Sequence, residues 1–374
     1  MKKSNKGRSV QPGSRRSWLL TAAATALTAP LGGSLFCGSL TAGEPTVSVD
    51  VKQALLRGVT PVKSRTIRLR PVTAELPRAV VTAIASDPRG KYVAVAGDDH
   101  AIRILDPDTM RVVKTLTSHR DLIRTLAFDP EGNRLVSAGN DGQLIVWNRD
   151  RDFKISQRMQ GTPALACVRF APDGNELAAV GFDNKVFIVA KASSSNPSFQ
   201  CDCKDLRAVA YRDDNRLLAV AGRSGDLHLF DPATGKLVFE KNIHRARIHD
   251  VEFHRDSDIV VSVAEDGMMV VFDTRRGEVM KRIRVSTGKL FAVSILDSTH
   301  VAVAGSDNVV RVVDTSEGAV VRRLEGHNGS IPTLAFHSGR LFSGGYDATF
   351  RRWSVDKITK SEERIAEGEH AIDR

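Results

Sequence analysis

Ser137-Ala138-Gly139-Asn140-Asp141-Gly142-Gln143-Leu144-Ile145-Val146-Trp147-Asn148 decides the fold. Small residues run into Asn-Asp-Gly, a strong short-range signal for a tight turn, and a β-branched, aromatic run follows. The stretch therefore reads as strand, turn, strand. Upstream, Asp129-Pro130-Glu131-Gly132 supplies a second turn, so a third strand precedes it.

The unit recurs from residue 80 onward: strand, Asp-Pro-x-Gly-like turn, apolar strand, Gly-x-Asp-Gly-like turn, apolar strand, polar loop. Its third strand ends at Asp106, Asn148, Ala190, Asp231, Asp273, Asp314 and Ser354, marks that lie 42, 42, 41, 42, 41 and 40 residues apart. A repeat of about 40–45 residues with four strands per unit is the signature of a propeller blade. The expected fold is all-β: a seven-bladed β-propeller of four-stranded antiparallel blades.

These residues resemble the WD-repeat β-propeller family, most clearly at 137–148 and in Gly326-His327 followed by Asp347 and Trp353. The resemblance runs directly over residues 80–354. An Asp six residues before the Trp position stands at Asp99, Asp141, Asp183, Asp266, Asp307 and Asp347, with Ser224 the departure. The family's His stands at His119, His244 and His327, while Gly161, Cys203 and Ser286 replace it elsewhere. The resemblance implies that His and Asp bond with a Ser or Thr and the Trp to pin loop to turn, a mechanical rather than catalytic role. Leu105, Val189, Phe230, Phe272 and Val313 replace the Trp in the other blades, where apolar packing has to serve instead.

Runs such as Tyr92–Ala96 and Leu217–Ala221 are small and β-branched, as expected of strands crowded near a propeller axis. A ring must also close, because an open terminal blade leaves an unpaired edge. Ser64–Thr73 is spaced to supply the outer strand of the last blade, with Lys357–Ile365 as a competitor. The chain then divides into an export signal at 1–43, a linker at 44–63, the propeller at 64–365 and a polar tail at 366–374. The repeats are about 80–119, 120–161, 162–203, 204–244, 245–285, 286–327 and 328–365.

The composition is that of a soluble globular protein, 41% hydrophobic and 26% charged. The net charge of +10 over 374 residues overstates the basic character, since residues 1–43 carry six Lys and Arg and no acid. The remainder is nearly balanced, which argues against nucleic acid as a partner. Residues 17–43 are uncharged, and Ser14-Arg15-Arg16-Ser17-Trp18-Leu19-Leu20 in front of them resembles the bacterial twin-arginine signal. That resemblance implies export of a folded chain to the periplasm or cell surface. Thr41, Ala42 and Gly43 offer a cleavage site. An uncleaved anchor is the alternative and the sole route to the membrane, but Pro30, Gly32, Gly33 and Gly38 make it a weak span. Leu35-Phe36 before Cys37 lacks the small residue that precedes a lipid-attachment cysteine.

The sequence carries no phosphate loop, G-x-G-x-x-G, H-E-x-x-H, C-x-x-C-H or G-x-S-x-G. No catalytic residue, cofactor or metal is therefore expected. His244, His249 and His254 suit neither a helix face nor a strand face, and Cys201 and Cys203, two apart on an apparent strand, cannot bond to each other without strain. Cys167 with either remains open.

What remains is surface. In the family, the face carrying the Asp turns is the usual partner platform, which singles out Asp98, Asn140, Phe182, Arg223, Glu265, Ser306 and Tyr346. Phe, Arg and Tyr are types that dominate interface energetics. The expected function is a non-catalytic scaffold for protein–protein interaction, a monomeric propeller within a complex. A small-ligand-binding or enzymatic propeller of lyase or hydrolase type, using the channel mouth, is the rival.

Overall fold

A computed structural model describes residue 62 and residues 64–72, 76–190 and 198–354. The proposed signal, most of the linker, the competing segment 357–365 and the tail lie outside these residues.

The described chain forms seven four-stranded antiparallel sheets. Six are built from consecutive strands, innermost first. The seventh combines Thr333–His337, Arg340–Gly344 and Thr349–Ser354 with Ser64–Arg68 from the other end of the chain. Ser64 lies opposite Trp353 and Arg68 opposite Thr349, so the N-terminal segment closes the ring as the sequence suggests. The innermost strands begin at Val81, Ile123, Leu165, Leu206, Ile248, Leu290 and Thr333, and each touches the next in that order until the last returns to the first.

Packing follows the ring. Seven buried apolar clusters sit one at each interface between neighbouring blades. Between blades 1 and 2, Ala83, Ala85, Ala94 and Ala96 meet the larger Leu126, Leu135, Ile145 and Trp147, which lets two twisted sheets approach closely. Residues 93–97 and 218–222 are the second strands of their blades, one place out from the axis, and are buried throughout. Their small residues answer to blade-on-blade packing, not to the axis.

Each innermost strand of blades 1 to 6 bulges at its second residue: Thr82, Arg124, Ala166, Arg207, His249 and Phe291. In blade 2 the Leu122 carbonyl then crowds Gly139, where a Cβ would overlap it, so Ser-Ala-Gly ends in glycine for want of space. A bulge re-aims its extra side chain. Here it sends Arg124 to Asn140 and His249 to Glu265, both on the second turn of their blades.

Inner strands would present unpaired edges to the channel, and side chains of the neighbouring blade cover several of them. Thr82 donates to the Ile123 carbonyl at 2.5 Å, Thr125 accepts from Val168 N at 3.1 Å, and Thr333 accepts from Ile84 N at 3.1 Å. Between blades 5 and 6, Asp250 and Glu252 accept from Val293 N and Ile295 N at 3.1 and 3.2 Å.

Candidate partner-binding face

The second and third strands of blade 2 set Leu135 opposite Trp147, which places Ser137 two residues inward on the same face. The indole N–H of Trp147 donates to Ser137 Oγ at 2.9 Å, and His119 Nε2 lies 2.8 Å from that oxygen. On the other side of the ring, His119 Nδ1 is 2.9 Å from Asp141. The carboxylate can only accept, so Nδ1 carries the proton and Nε2 takes the Ser137 hydroxyl. Asp141 also accepts from the backbone N–H of Arg120 and Gln143 at 3.0 and 3.2 Å. One carboxylate thus ties the loop at 119–120 to the turn at 141–143.

Blade 7 repeats the set. Trp353 donates to Ser343 at 2.9 Å, His327 bridges Ser343 at 2.8 Å and Asp347 at 3.2 Å, and Asp347 accepts from Asn328 N and Thr349 N at 2.8 and 3.0 Å. In blade 5, His244 joins Ser262 at 2.9 Å and Asp266 at 3.1 Å, and buried Phe272 occupies the Trp position. Burial pulls His119 and His327 below the ordinary histidine value. For Asp141, Asp266 and Asp347 burial acts upward but is outweighed by hydrogen bonds and the facing histidine, and all three sit below the ordinary carboxylate value. The histidines of blades 2 and 7 stay neutral and their partners ionised, a fixed brace rather than a proton relay.

The remaining blades substitute other chemistry. Asp99 is fully buried against Arg103, whose Nη1 lies 3.1 Å away and whose Nη2 also reaches the Arg70 carbonyl at 2.6 Å. Asp307 accepts from Ser286 Oγ at 2.5 Å and pairs with Arg311 at 2.8 Å. Asp183 caps its own turn through Lys185 N at 3.1 Å, and Ser224 meets Cys203 Sγ at 3.1 Å. The sequence reading missed Arg103 and Arg311. The signal was present, an arginine four residues after an Asp that lacks its histidine.

The seven residues before these turns fall into two groups. Asp98 accepts from Val80 N at 2.9 Å, Asn140 from Arg124 Nε at 2.5 Å, and Ser306 from Lys289 N at 2.9 Å. Glu265 gathers Arg247, His249 and Lys289 at 3.0, 2.9 and 2.8 Å. Burial would raise its carboxyl, but the Lys289 and His249 hydrogen bonds hold it at about 2. These four are spent within the ring. Phe182, Arg223 and Tyr346 are exposed, Phe182 at 39% and Tyr346 at 46%. Phe182 is also clamped, with Arg124 4.8 Å and Arg207 3.9 Å from its ring centroid. Arg207 is anchored to Asp205 at 2.7 Å, and Asp205 to Arg247 at 2.7 Å.

The three histidines grouped by sequence have separate engagements: His244 in its brace, His249 on Glu265, and His254 buried near the Asp297 charge. Asp226, His228 and Glu240 instead bring one ligand atom each within 4.8 Å of one another on blade 4. Cys201 and Cys203 follow the strand Ser198–Gln200 rather than lying on it; with Cys167 they are buried free thiols. In the channel, Arg169 of blade 3 lies 3.6 Å from Asp250 of blade 5. Burial raises the Asp250 carboxyl and, with the Asp250 charge beside it, pushes Glu252 up to about 8.

Fold and braces together define the class: a closed seven-bladed β-propeller in which blades 2 and 7 carry complete Trp-Ser-His-Asp sets. The family described as "WD domain, G-beta repeat" matches residues 73–106, 110–148 and 318–354, which take in the inner three strands of blades 1, 2 and 7 and the outer strands of blades 1 and 6. A second family, described as "Outer membrane protein assembly factor BamB", matches residues 169–331. Among curated proteins, the chain is similar to eukaryotic translation initiation factor 3 subunit I of Nematostella vectensis, 27% identical over 38% of this chain and 49% of the relative. The Bombyx mori counterpart is 30% identical over 36% and 46%. Histone acetyltransferase type B subunit 2 of Candida glabrata is 29% identical over 35% of each chain. The chain thus spans about half the length, or less, of these relatives.

Proposed function

We propose that this protein is a non-catalytic scaffold that binds a protein partner through the face carrying its Asp turns. The observation that carries this reading is Phe182, exposed yet held between two guanidinium groups. An aromatic ring already fixed by its neighbours loses little further freedom when a partner covers it. Tyr346 and Arg223 extend the same face. The relatives are by name subunits of larger assemblies, which supports a propeller that works within a complex.

The proposed location is the bacterial periplasm or cell surface, reached through Arg15, Arg16 and the uncharged run that follows. The match of residues 169–331 to a family described as an outer membrane assembly factor supports it. The Asp250–Glu252–Arg169 cluster favours a second reading, a ligand or reaction in the channel, because it gathers carboxyls with raised pKa values. Both carboxyls already accept backbone N–H groups from blade 6, so the first reading stands ahead.

The test is cross-linked affinity purification of the tagged protein from envelope fractions, beside Phe182→Ala/Tyr346→Ala. A discrete protein retained by the wild type and lost by the folded variant is the expected result. Recovery of the propeller alone, or equal capture by both, would overturn the proposal, and absence of the protein from the envelope would overturn its location.

A further inference from the structure

A cavity of about 520 Å³ opens where the ring is closed, between the closure strand Ser64–Arg68, the segment that follows it, and blade 7. Its size falls within the range that holds a small ligand, about 300–1,000 Å³. Three arginines line it: Arg68 on the closure strand, Arg78 before blade 1, and Arg351 on the third strand of blade 7.

Several other arginines of the ring are neutralised by a carboxylate: Arg103, Arg134, Arg149 and Arg340 pair with Asp99, Asp129, Asp87 and Asp108 respectively. Arg68, Arg78 and Arg351 form no ion pair among the described residues. Arg351 donates only to neutral oxygens, Ser64 and Thr66 hydroxyls at 2.9 Å and the Gly326 carbonyl at 2.5 Å, and its Nε is buried without a partner. Burial holds its pKa below the ordinary arginine value. The lining carboxylate, Asp347, is committed to His327, Asn328 and Thr349. Three guanidinium groups face one carboxylate across the space, so the lining carries a net positive charge that an anion would balance. Guanidinium forks match oxyanions in geometry as well as charge, and Tyr346 and Asn328 are among the residues that line the same space.

We infer that this cavity is a binding site for a small multivalent oxyanion, either a phosphate or a polycarboxylate. The inference does not depend on the scaffold reading. Because the walls come from both ends of the propeller, the site exists only in the closed ring, and the ligand stabilises closure by mass action.

The test uses the full chain, titrated calorimetrically with pyrophosphate and separately with citrate, against sodium chloride of equal ionic strength. Thermal melts are run in parallel. Arg68→Ala/Arg78→Ala removes two exposed side chains and leaves the ring folded; Arg120→Ala/Arg245→Ala removes two exposed arginines elsewhere. Saturable single-site binding of either anion with a raised melting temperature is expected, weakened at least about tenfold in the first variant and unchanged in the second. Preference for one anion assigns the site to phosphate or to carboxylate. No saturable binding up to about 10 mM, or equal weakening in both variants, would overturn the inference.

Discussion

Replacing Ser137 with Ala removes one oxygen from the centre of the blade 2 brace. Ser137 is fully buried, so no water takes its place, and the deletion leaves little cavity. Two groups lose their partner at once: Trp147 Nε1, a donor, and His119 Nε2, an acceptor. Each buried orphan costs about 1–3 kcal/mol, giving about 2–6 kcal/mol for the pair. Blade 5 provides an internal comparison, because Ser262 is equally buried but bonds only His244, Phe272 having no N–H to offer. Ser262→Ala should therefore cost about 1–3 kcal/mol. The assay is urea unfolding of both variants and the wild type at pH 7.5, read by far-UV circular dichroism, with native-state hydrogen exchange to localise the loss. The larger midpoint shift is expected for Ser137→Ala at unchanged slope, with faster exchange confined to blade 2. Equal shifts, or a larger one in blade 5, would refute the claim that the Trp–Ser bond carries stability.

Asp141→Ala should cost about 1–3 kcal/mol by freeing His119 and the 120 and 143 amides, and an unchanged melting curve would reject the brace assignment. Asp99→Asn leaves Arg103 buried beside a neutral amide and should cost about 3–5 kcal/mol by the same denaturation; a smaller cost than Asp141→Ala would count against the pair. For pH dependence, His119 and His327 refuse protons that the unfolded chain takes up near pH 6.5, so they subtract stability as pH falls through that value. Glu252 acts oppositely: the folded chain keeps a proton that the unfolded chain loses near 4.5, so stability falls as pH rises from there towards about 8. Glu252→Gln should therefore leave a stability that rises steadily from pH 5 to 7, and a persisting decline towards pH 8 would place the titrating group elsewhere. Cys167, Cys201 and Cys203 are buried, and burial raises the thiol pKa of the first two. A thiol-reactive dye should label these three only in urea; rapid native labelling mapped to any of them, rather than to Cys37, would contradict their burial.

Turn chemistry made the blades legible. Asp-Pro-x-Gly and Asn-Asp-Gly act over four residues, so their spacing exposes the repeat, and marks such as Asn148 and Asp273 end the third strands of their blades. The closure strand was legible for a different reason, since a ring leaves one edge and Ser64–Arg68 has the spacing to fill it. The face was only partly legible. Asn140 and Phe182 occupy equivalent positions, yet one is turned inward and the other exposed, because the outcome depends on the bulge residue beside it. Arg124 and Arg207 flank Phe182 from different blades, and ring closure rather than any local pattern brings them together. The raised Glu252 carboxyl is likewise a product of burial among three blades, which no sequence spacing encodes.

The central claim is that the Asp-turn face meets a protein partner. The most direct measurement places a photoreactive residue at Phe182, at Tyr346 and, on the opposite face, at Glu131 in the first turn of blade 2, followed by irradiation of intact cells. One discrete protein adduct is expected from positions 182 and 346 and none from 131. Adducts from 131 alone, or none from any of the three, would contradict it.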